Sequence, residues 1–262
     1  MRSITRPTLV LAAFLAASCA TSPVYDPGTG QVRSSQASSQ LKAQGAREFA
    51  NYKSNKQIST NSAYRNQVNR VVNRLARVVE TDGTWEVVVF EDESPNAFAL
   101  PGNKIGVHTG IFQVTRNDTG MATVISHEMA HVTLNHAQSK VNRATGAVLG
   151  GVVLDAVLAS QGQSGGSRAA AAAGYGALAT TGFLLPNSRS AETEADKLGL
   201  IYMARAGYDP RDAVDFWKRF AAYNQKSSGG QMPEFLRTHP LDTTRIRSLE
   251  SYLPVALKEY QR

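Results

Sequence analysis

The chain has 262 residues, 42% of them hydrophobic, with 9 Tyr, 9 Phe and 2 Trp, enough for one ordinary domain with a sizeable core and short appendages. Its formal charge is +7, yet the basic residues are dispersed and form no Lys/Arg block. That pattern argues against nucleic-acid binding and for a solvated surface with some affinity for anionic membrane. The single cysteine, Cys19, excludes an internal disulfide, so stability must come from packing and metal.

Residues 1–18 have a basic start (Arg2, Arg6), an apolar run from Leu9 to Ala17 and small residues before the Cys. That is the form of a secretory signal, too short for a good membrane span. Leu15-Ala16-Ala17-Ser18-Cys19 resembles the bacterial lipoprotein box, although Ala16 stands where a large apolar residue is usual and Leu15 lies one position further out. The resemblance implies removal of residues 1–18 and acylation of Cys19. Ala20, in place of an Asp that would retain a lipoprotein in the inner membrane, points to the periplasmic face of the outer membrane. An ordinary signal peptide with an incidental Cys19 is the alternative. Residues 19–40, rich in Ser, Gln, Gly, Pro and Thr, predict a flexible tether before a domain spanning 41–262.

From 41 to about 80 the pattern is helical, with Val68, Val71, Val72, Leu75, Val78 and Val79 on one face of a helix ending near Asp82-Gly83. Trp85 to Phe90 reads as a strand. Asn96–Leu100 and Lys104–His108 flank Pro101-Gly102-Asn103 and predict a hairpin. An edge strand there would offer free N–H and C=O groups to an extended peptide. A purely structural hairpin fits the sequence equally well.

Residues 119–138 contain no Pro and predict a helix capped at Asp118 or Thr119, with an apolar stripe of Met121, Val124, Ile125, Met129 and Val132. It carries His127-Glu128-Met129-Ala130-His131. Positions i and i+4 share a helix face, so both imidazoles can reach one metal ion, and Glu128 is placed to take a proton from an attacking water. The alternative is two ordinary histidines on an amphipathic helix. Residues 144–185, mostly Gly, Ala, Val and Leu about a polar centre, predict a mobile lid or plug. A shallow membrane hairpin or inserted pair of segments is the alternative. Ser188 or Ser190 caps a helix containing Glu192, Glu194 and Asp196 that stops at Gly207, and Asp209-Pro210-Arg211-Asp212 starts the next. After a loop at 227–230 and Thr238-His239-Pro240, a last helix runs to about Tyr252, before Pro254. No internal repeat is present, and no appended helical-repeat domain is expected.

Catalytic zinc usually takes three protein ligands and one water, so two histidines leave the set incomplete. A third His at the ten-residue offset, preceded by Gly, would mark the metzincin pattern, but Leu134 and Ala137 occupy those positions. His136, five residues past His131, is rotated well off the ligand face and reads as a surface residue or one that supports a ligand without touching the metal, and His108 has no ligand spacing. The acidic helix is the obvious supplier. Glu192 and Asp196 share a face, so one can ligate while the other orients an imidazole, and Glu194 points elsewhere. The pattern alone ranks Glu192 and Glu194 poorly, and a solvated acidic face is the alternative.

His127–His131, Ser190-Ala191-Glu192-Thr193-Glu194-Ala195-Asp196 and Thr238-His239-Pro240 together make the chain similar to the HtpX-like zinc peptidases. That family includes the periplasmic BepA and LoiP proteins, mitochondrial Oma-type proteases and prenyl-protein endopeptidases. The likeness covers roughly residues 60–252. It implies an α+β, mostly helical zincin-like fold, with a small β-sheet whose edge strand flanks the active-site helix. It also implies one Zn2+ per chain held by His127, His131 and Glu192, with Asp196 as the partner of a ligand and Asn96, Ala97, Phe98 and Ala99 as the substrate edge. Glu128 would be the general base, and His239 or Arg245 would face the oxyanion. His239 is also expected to reach the metal and switch the site between latent and open forms. The implied activity is endoproteolysis of unfolded or misassembled envelope proteins, near the outer-membrane assembly machinery. Without membrane spans or a helical-repeat domain, the pattern fits a stand-alone lipoprotein of the LoiP-like kind. The rival from another class is a lipoprotein chaperone or scaffold with a structural zinc site.

Overall fold

A computed structural model of the chain describes residues 23–143, 187–226 and 232–261. The signal segment, Cys19, the 144–185 segment and the 227–230 loop therefore lie outside the described residues. Helices α1 (Ser39–Asn55) and α2 (Ser62–Leu75) precede strands β1 (Glu86–Phe90), β2 (Ala97–Leu100) and β3 (Lys104–His108). Helices α3 (Phe112–Thr115), α4 (Asp118–Thr133), α5 (Arg189–Arg205), α6 (Arg211–Lys226), α7 (Glu234–Thr238) and α8 (Thr243–Tyr260) follow. The fold is α+β and mostly helical, with one small sheet among the described residues.

The sheet runs β1-β3-β2, with β1 parallel and β2 antiparallel to β3. Gly102 and Asn103 turn the hairpin in left-handed backbone, at φ 84° and 60°, a region that Gly and Asn tolerate best. Asn103 fixes the turn from its side chain, bonding Thr81 Oγ1 and the Asp82 carbonyl. Period-two alternation divides the sheet. Val87, Val89, Ala97, Ala99, Ile105 and Val107 face the main core, while Val88, Phe90, Phe98 and Leu100 face Phe49 and Tyr52 of α1.

Helix α4 is the centre of the molecule, buried on nearly every side, which explains an apolar content broader than one stripe. It packs on α5, α2, α6 and β2. Gly199 lets α5 approach: a Cβ there would lie 3.2 Å from the His127 backbone nitrogen. From α2, Val68, Val71, Val72 and Leu75 pack into the same core.

Four sequence expectations shift. The α4 cap is Asn117, whose side chain accepts from the Gly120 N–H at 2.8 Å, not Asp118 or Thr119. The helix at α2 ends at Leu75, although Val79 stays buried beyond it. The last helix runs through Pro254 to Tyr260. The Pro ring is exposed, and Ala256 and Glu259 are buried beyond it, with Glu259 paired to Arg205 at 2.7 Å, so packing holds the final turns despite one missing N–H.

The fourth concerns the expected tether. From residue 23 onward it packs on the domain instead of running free: Val24 and Tyr25 are buried, and Tyr25 forms a bridge with Val32. The Ser35 N–H bonds the Thr133 carbonyl at 2.8 Å, and Asn135 Nδ2 bonds the Gln36 carbonyl at 2.8 Å.

Candidate metal centre

Four side chains converge behind the sheet edge. His127 and His131 come from α4, Glu192 from the first turn of α5, and His239 from the residue that ends α7. All four are buried, and each offers one ligand atom within 4.8 Å of the others. His127 Nε2 lies 3.0 Å from His131 Nε2 and 3.4 Å from Glu192 Oε2, and His131 Nε2 lies 3.3 Å from Glu192 Oε1. His239 Nδ1 closes the figure, 3.3 Å from His127 Nε2 and 3.1 Å from Glu192 Oε1. Tetrahedral zinc with bonds of about 2.0–2.1 Å has ligand-to-ligand edges of about 3.3–3.4 Å, close to these individual contacts, and the four donors as a set span at most 4.8 Å.

The electrostatics also favour a cation. Burial alone would raise the Glu192 carboxyl, but His239 and His131 outweigh it and hold the group well below the usual carboxylate range. Burial would lower His127, but Asp196 and Glu192 overcome it and push the imidazole up to about 9. His131 goes the other way, driven well down by burial. The cluster thus stabilises positive charge at its centre, whether carried by a proton or a metal.

A second tier orients these groups. Asp196 Oδ1 lies 3.0 Å from His127 Nδ1, the nitrogen facing away from the other ligands. Arg245 holds Asp196 in a fork, with Nε and Nη2 each at 2.8 Å, and its Nη1 lies 2.9 Å from Glu192 Oε2. The same guanidinium bonds the carbonyls of His239 and Pro240 and sits over the Trp217 ring at 4.3 Å. Arg245 therefore lies behind the carboxylates and does not line the cavity, so an oxyanion contact does not fit its position. Trp217 also meets His127 edge-on, and Phe235 stacks on His239 at 4.5 Å. These rings wall the site from the helix side.

On the open side is a cavity of about 500 Å³, lined by Glu128, His131, His239 and β2 among others. Glu128 is buried, and burial raises its pKa against the pull of His239 and His127. It takes a backbone hydrogen bond from Ala99, while Oε1 has no hydrogen bond among the described residues and faces His239 Nε2 at 3.3 Å. The His108 N–H bonds the Asn96 carbonyl, which sets the ladder: residues 96, 98 and 100 face β3, and Ala97, fully buried, and Ala99 turn their N–H and C=O away from it, the Ala99 N–H toward Glu128. Phe98 covers Gly106, where any Cβ would overlap its ring, and packs on Tyr52 at 4.8 Å.

The structure thus brings together His127, Glu128, His131, Glu192, Asp196 and His239, with Asn96, Phe98 and Ala99 on the cavity wall and Ala97 buried in the core. His136 takes the second of the two places the sequence left open: it is buried and backs the ligand His131. Helix α4 does not continue to 138: Asn135 adopts φ 54°, and helical turns resume at 136. That break swings His136 back onto His131, with Nδ1 atoms 2.8 Å apart. Asn, a residue that tolerates left-handed backbone, was the available signal. Glu194 does not simply point away either; its Oε2 lies 3.3 Å from His136 Nε2.

Comparison with known proteins agrees with this arrangement. Residues 62–253 match the model of peptidase family M48. The chain is 36% identical over 183 residues to the mitochondrial metalloendopeptidase OMA1 of Saccharomyces cerevisiae, covering 68% of this chain and 50% of that one. It is 29% identical over 187 residues to the beta-barrel assembly-enhancing protease of Yersinia pestis, covering 68% and 37%. With the putative beta-barrel assembly-enhancing protease of Vibrio cholerae it shares 33% over 177 residues, 65% and 34% of the two chains. The chain spans half or less of the length of these relatives. Donor geometry, fold and family match converge: the chain belongs to peptidase family M48, and residues 62–253 are its metallopeptidase domain.

Proposed function

We propose that the protein is a zinc-dependent endopeptidase of the bacterial cell envelope that cleaves unfolded or misassembled envelope proteins. The observation that carries the peptidase reading is Glu128: a buried carboxylate with one oxygen that makes no hydrogen bond among the described residues, beside a four-residue donor set and next to β2 at the edge of the sheet. His127, His131 and Glu192 would hold the metal. Bound zinc would supply Lewis acidity, polarising a scissile carbonyl and easing deprotonation of water. An extended peptide lies along Asn96, Phe98 and Ala99 on the cavity wall, where the Ala99 carbonyl, turned away from β3, can accept from it. Glu128 accepts the proton of the attacking water and returns it to the leaving amine, with its raised pKa suited to both steps. His239, at the fourth corner of the donor set, must withdraw for water to enter; withdrawn, its N–H can donate to the developing oxyanion.

The envelope location rests on the signal-like residues 1–18, the lipoprotein-like Cys19 and similarity to proteases named for β-barrel assembly. No described helix is long and apolar enough to cross a membrane. A lipid anchor at Cys19 is tested by Cys19→Ala, which should abolish acyl labelling and release the protein from membranes; continued labelling would defeat it. The decisive experiment for function is Glu128→Gln. It should keep zinc and lose hydrolysis by about 10² or more, with uncleaved envelope proteins accumulating. Near-normal turnover with zinc bound would remove Glu128 from the mechanism.

One observation favours a second reading. Four protein ligands close a site in the manner of structural zinc, so a chaperone or scaffold would also use His127, His131, Glu192 and His239. Under that reading His239→Ala lowers stability and exposes no activity, and Glu128→Gln is silent.

A further inference from the structure

The two metal-facing imidazoles of α4 are supported differently. His127 is backed directly by Asp196, but no carboxylate touches the far nitrogen of His131 among the described residues. Its Nδ1 meets His136 Nδ1 at 2.8 Å instead, and His136 Nε2 meets Glu194 Oε2 at 3.3 Å. Arg33, in the segment before α1, pairs with that same Glu194 oxygen. We propose that His136, Glu194 and Arg33 form a relay that positions His131 on the metal and ties that ligand to the N-terminal segment.

One assignment of protons satisfies the whole chain. If His131 Nε2 faces the metal, its Nδ1 carries the proton and donates to His136 Nδ1. His136 is then protonated on Nε2 and donates to the Glu194 carboxylate, which also accepts from Arg33. Every link has one donor and one acceptor. The reversed assignment would put a proton on the His131 nitrogen that faces the donor cluster. The carboxylate thus acts on His131 through an intervening imidazole, increasing ligand basicity and fixing the ring plane as a direct carboxylate partner would.

The link exists because α4 breaks at Asn135. A continuous helix would carry His136 well off the His131 face; with the left-handed residue between them, the rings lie 4.9 Å apart. The same corner receives the N-terminal segment. Asn135 holds the Gln36 carbonyl, the Thr133 carbonyl takes the Ser35 N–H, and Ser34 to Ala37 line the cavity. Arg33 is therefore delivered to Glu194 by one backbone bond and one bond from the Asn135 side chain, both made at the break.

This inference rests on the metal-site reading, and the test separates the two. Zinc affinity of the full chain is measured by competition with a chromophoric chelator, and the visible spectrum of the Co2+-loaded form reports ligand geometry. His136→Phe should weaken zinc about 10–100-fold and shift the Co2+ bands. His136→Gln, which keeps an acceptor toward His131, should recover most of that loss. Glu194→Ala, at a partly exposed site that tolerates change, should weaken zinc several-fold, and Arg33→Gln less. Should His136→Phe fail to fold, Glu194→Ala decides. Unchanged affinity and spectrum in Glu194→Ala, or equal losses in His136→Phe and His136→Gln, would overturn the relay. A wild-type chain that binds no zinc would instead overturn the metal site itself.

Discussion

Arg245→Met separates two roles for one buried cation. The guanidinium is 2% exposed and faces two carboxylates: a fork onto Asp196 at 2.8 Å and a contact with Glu192 at 2.9 Å. Met fills similar space against Trp217 but leaves both acids without that counter-charge. Breaking a buried pair from one side costs about 3–5 kcal/mol, because the remaining charge stays desolvated. For a domain of this size that is a fall of roughly 6–20 °C in Tm. The loss should be larger in chelator-treated than in zinc-saturated protein, since the ion replaces part of the missing positive charge. At saturating zinc much of kcat should return. An oxyanion donor behaves oppositely, losing about 10² in kcat with stability unmoved. Calorimetry with and without zinc, beside peptide kinetics, distinguishes them. Stability within about 1 kcal/mol of wild type in both forms would refute the neutralising role.

Three further outcomes follow from the site. Glu192→Ala should abolish tight zinc binding, read by elemental analysis, far beyond the partial weakening in Glu194→Ala; the reverse order would displace Glu192 as ligand. Gly199→Val should force α5 off α4, because even a Cβ would lie 3.2 Å from the His127 nitrogen. A destabilisation of about 1–3 kcal/mol by urea titration is expected, with none seen if the helices can slide apart freely. A peptide substrate N-methylated at the position facing the Ala99 carbonyl should bind about fivefold more weakly, near 1 kcal/mol for the one lost hydrogen bond, and an unchanged KM would exclude that contact.

Local chemistry determined much of this protein in advance. The His127 and His131 spacing, the Glu192 and Asp196 spacing and the hairpin around Pro101-Gly102-Asn103 depend on helix or strand period and turn preference, which neighbouring residues dictate. The α2 stripe of Val68, Val71, Val72 and Leu75 is legible for the same reason. What sequence could not decide were contacts made across long separations. The parallel pairing of β1 with β3, the docking of residues 23–38, and α8 running past Pro254 each depend on a partner distant in the chain. Arg245 lies behind the carboxylates and off the cavity wall, a placement the sequence could not give because charge alone does not say which side of a carboxylate it occupies. Whether His136 would lie on the surface or behind a ligand stayed open in the sequence, because one left-handed residue, Asn135, rotates everything after it, and only tertiary packing selects that conformation over one more helical turn.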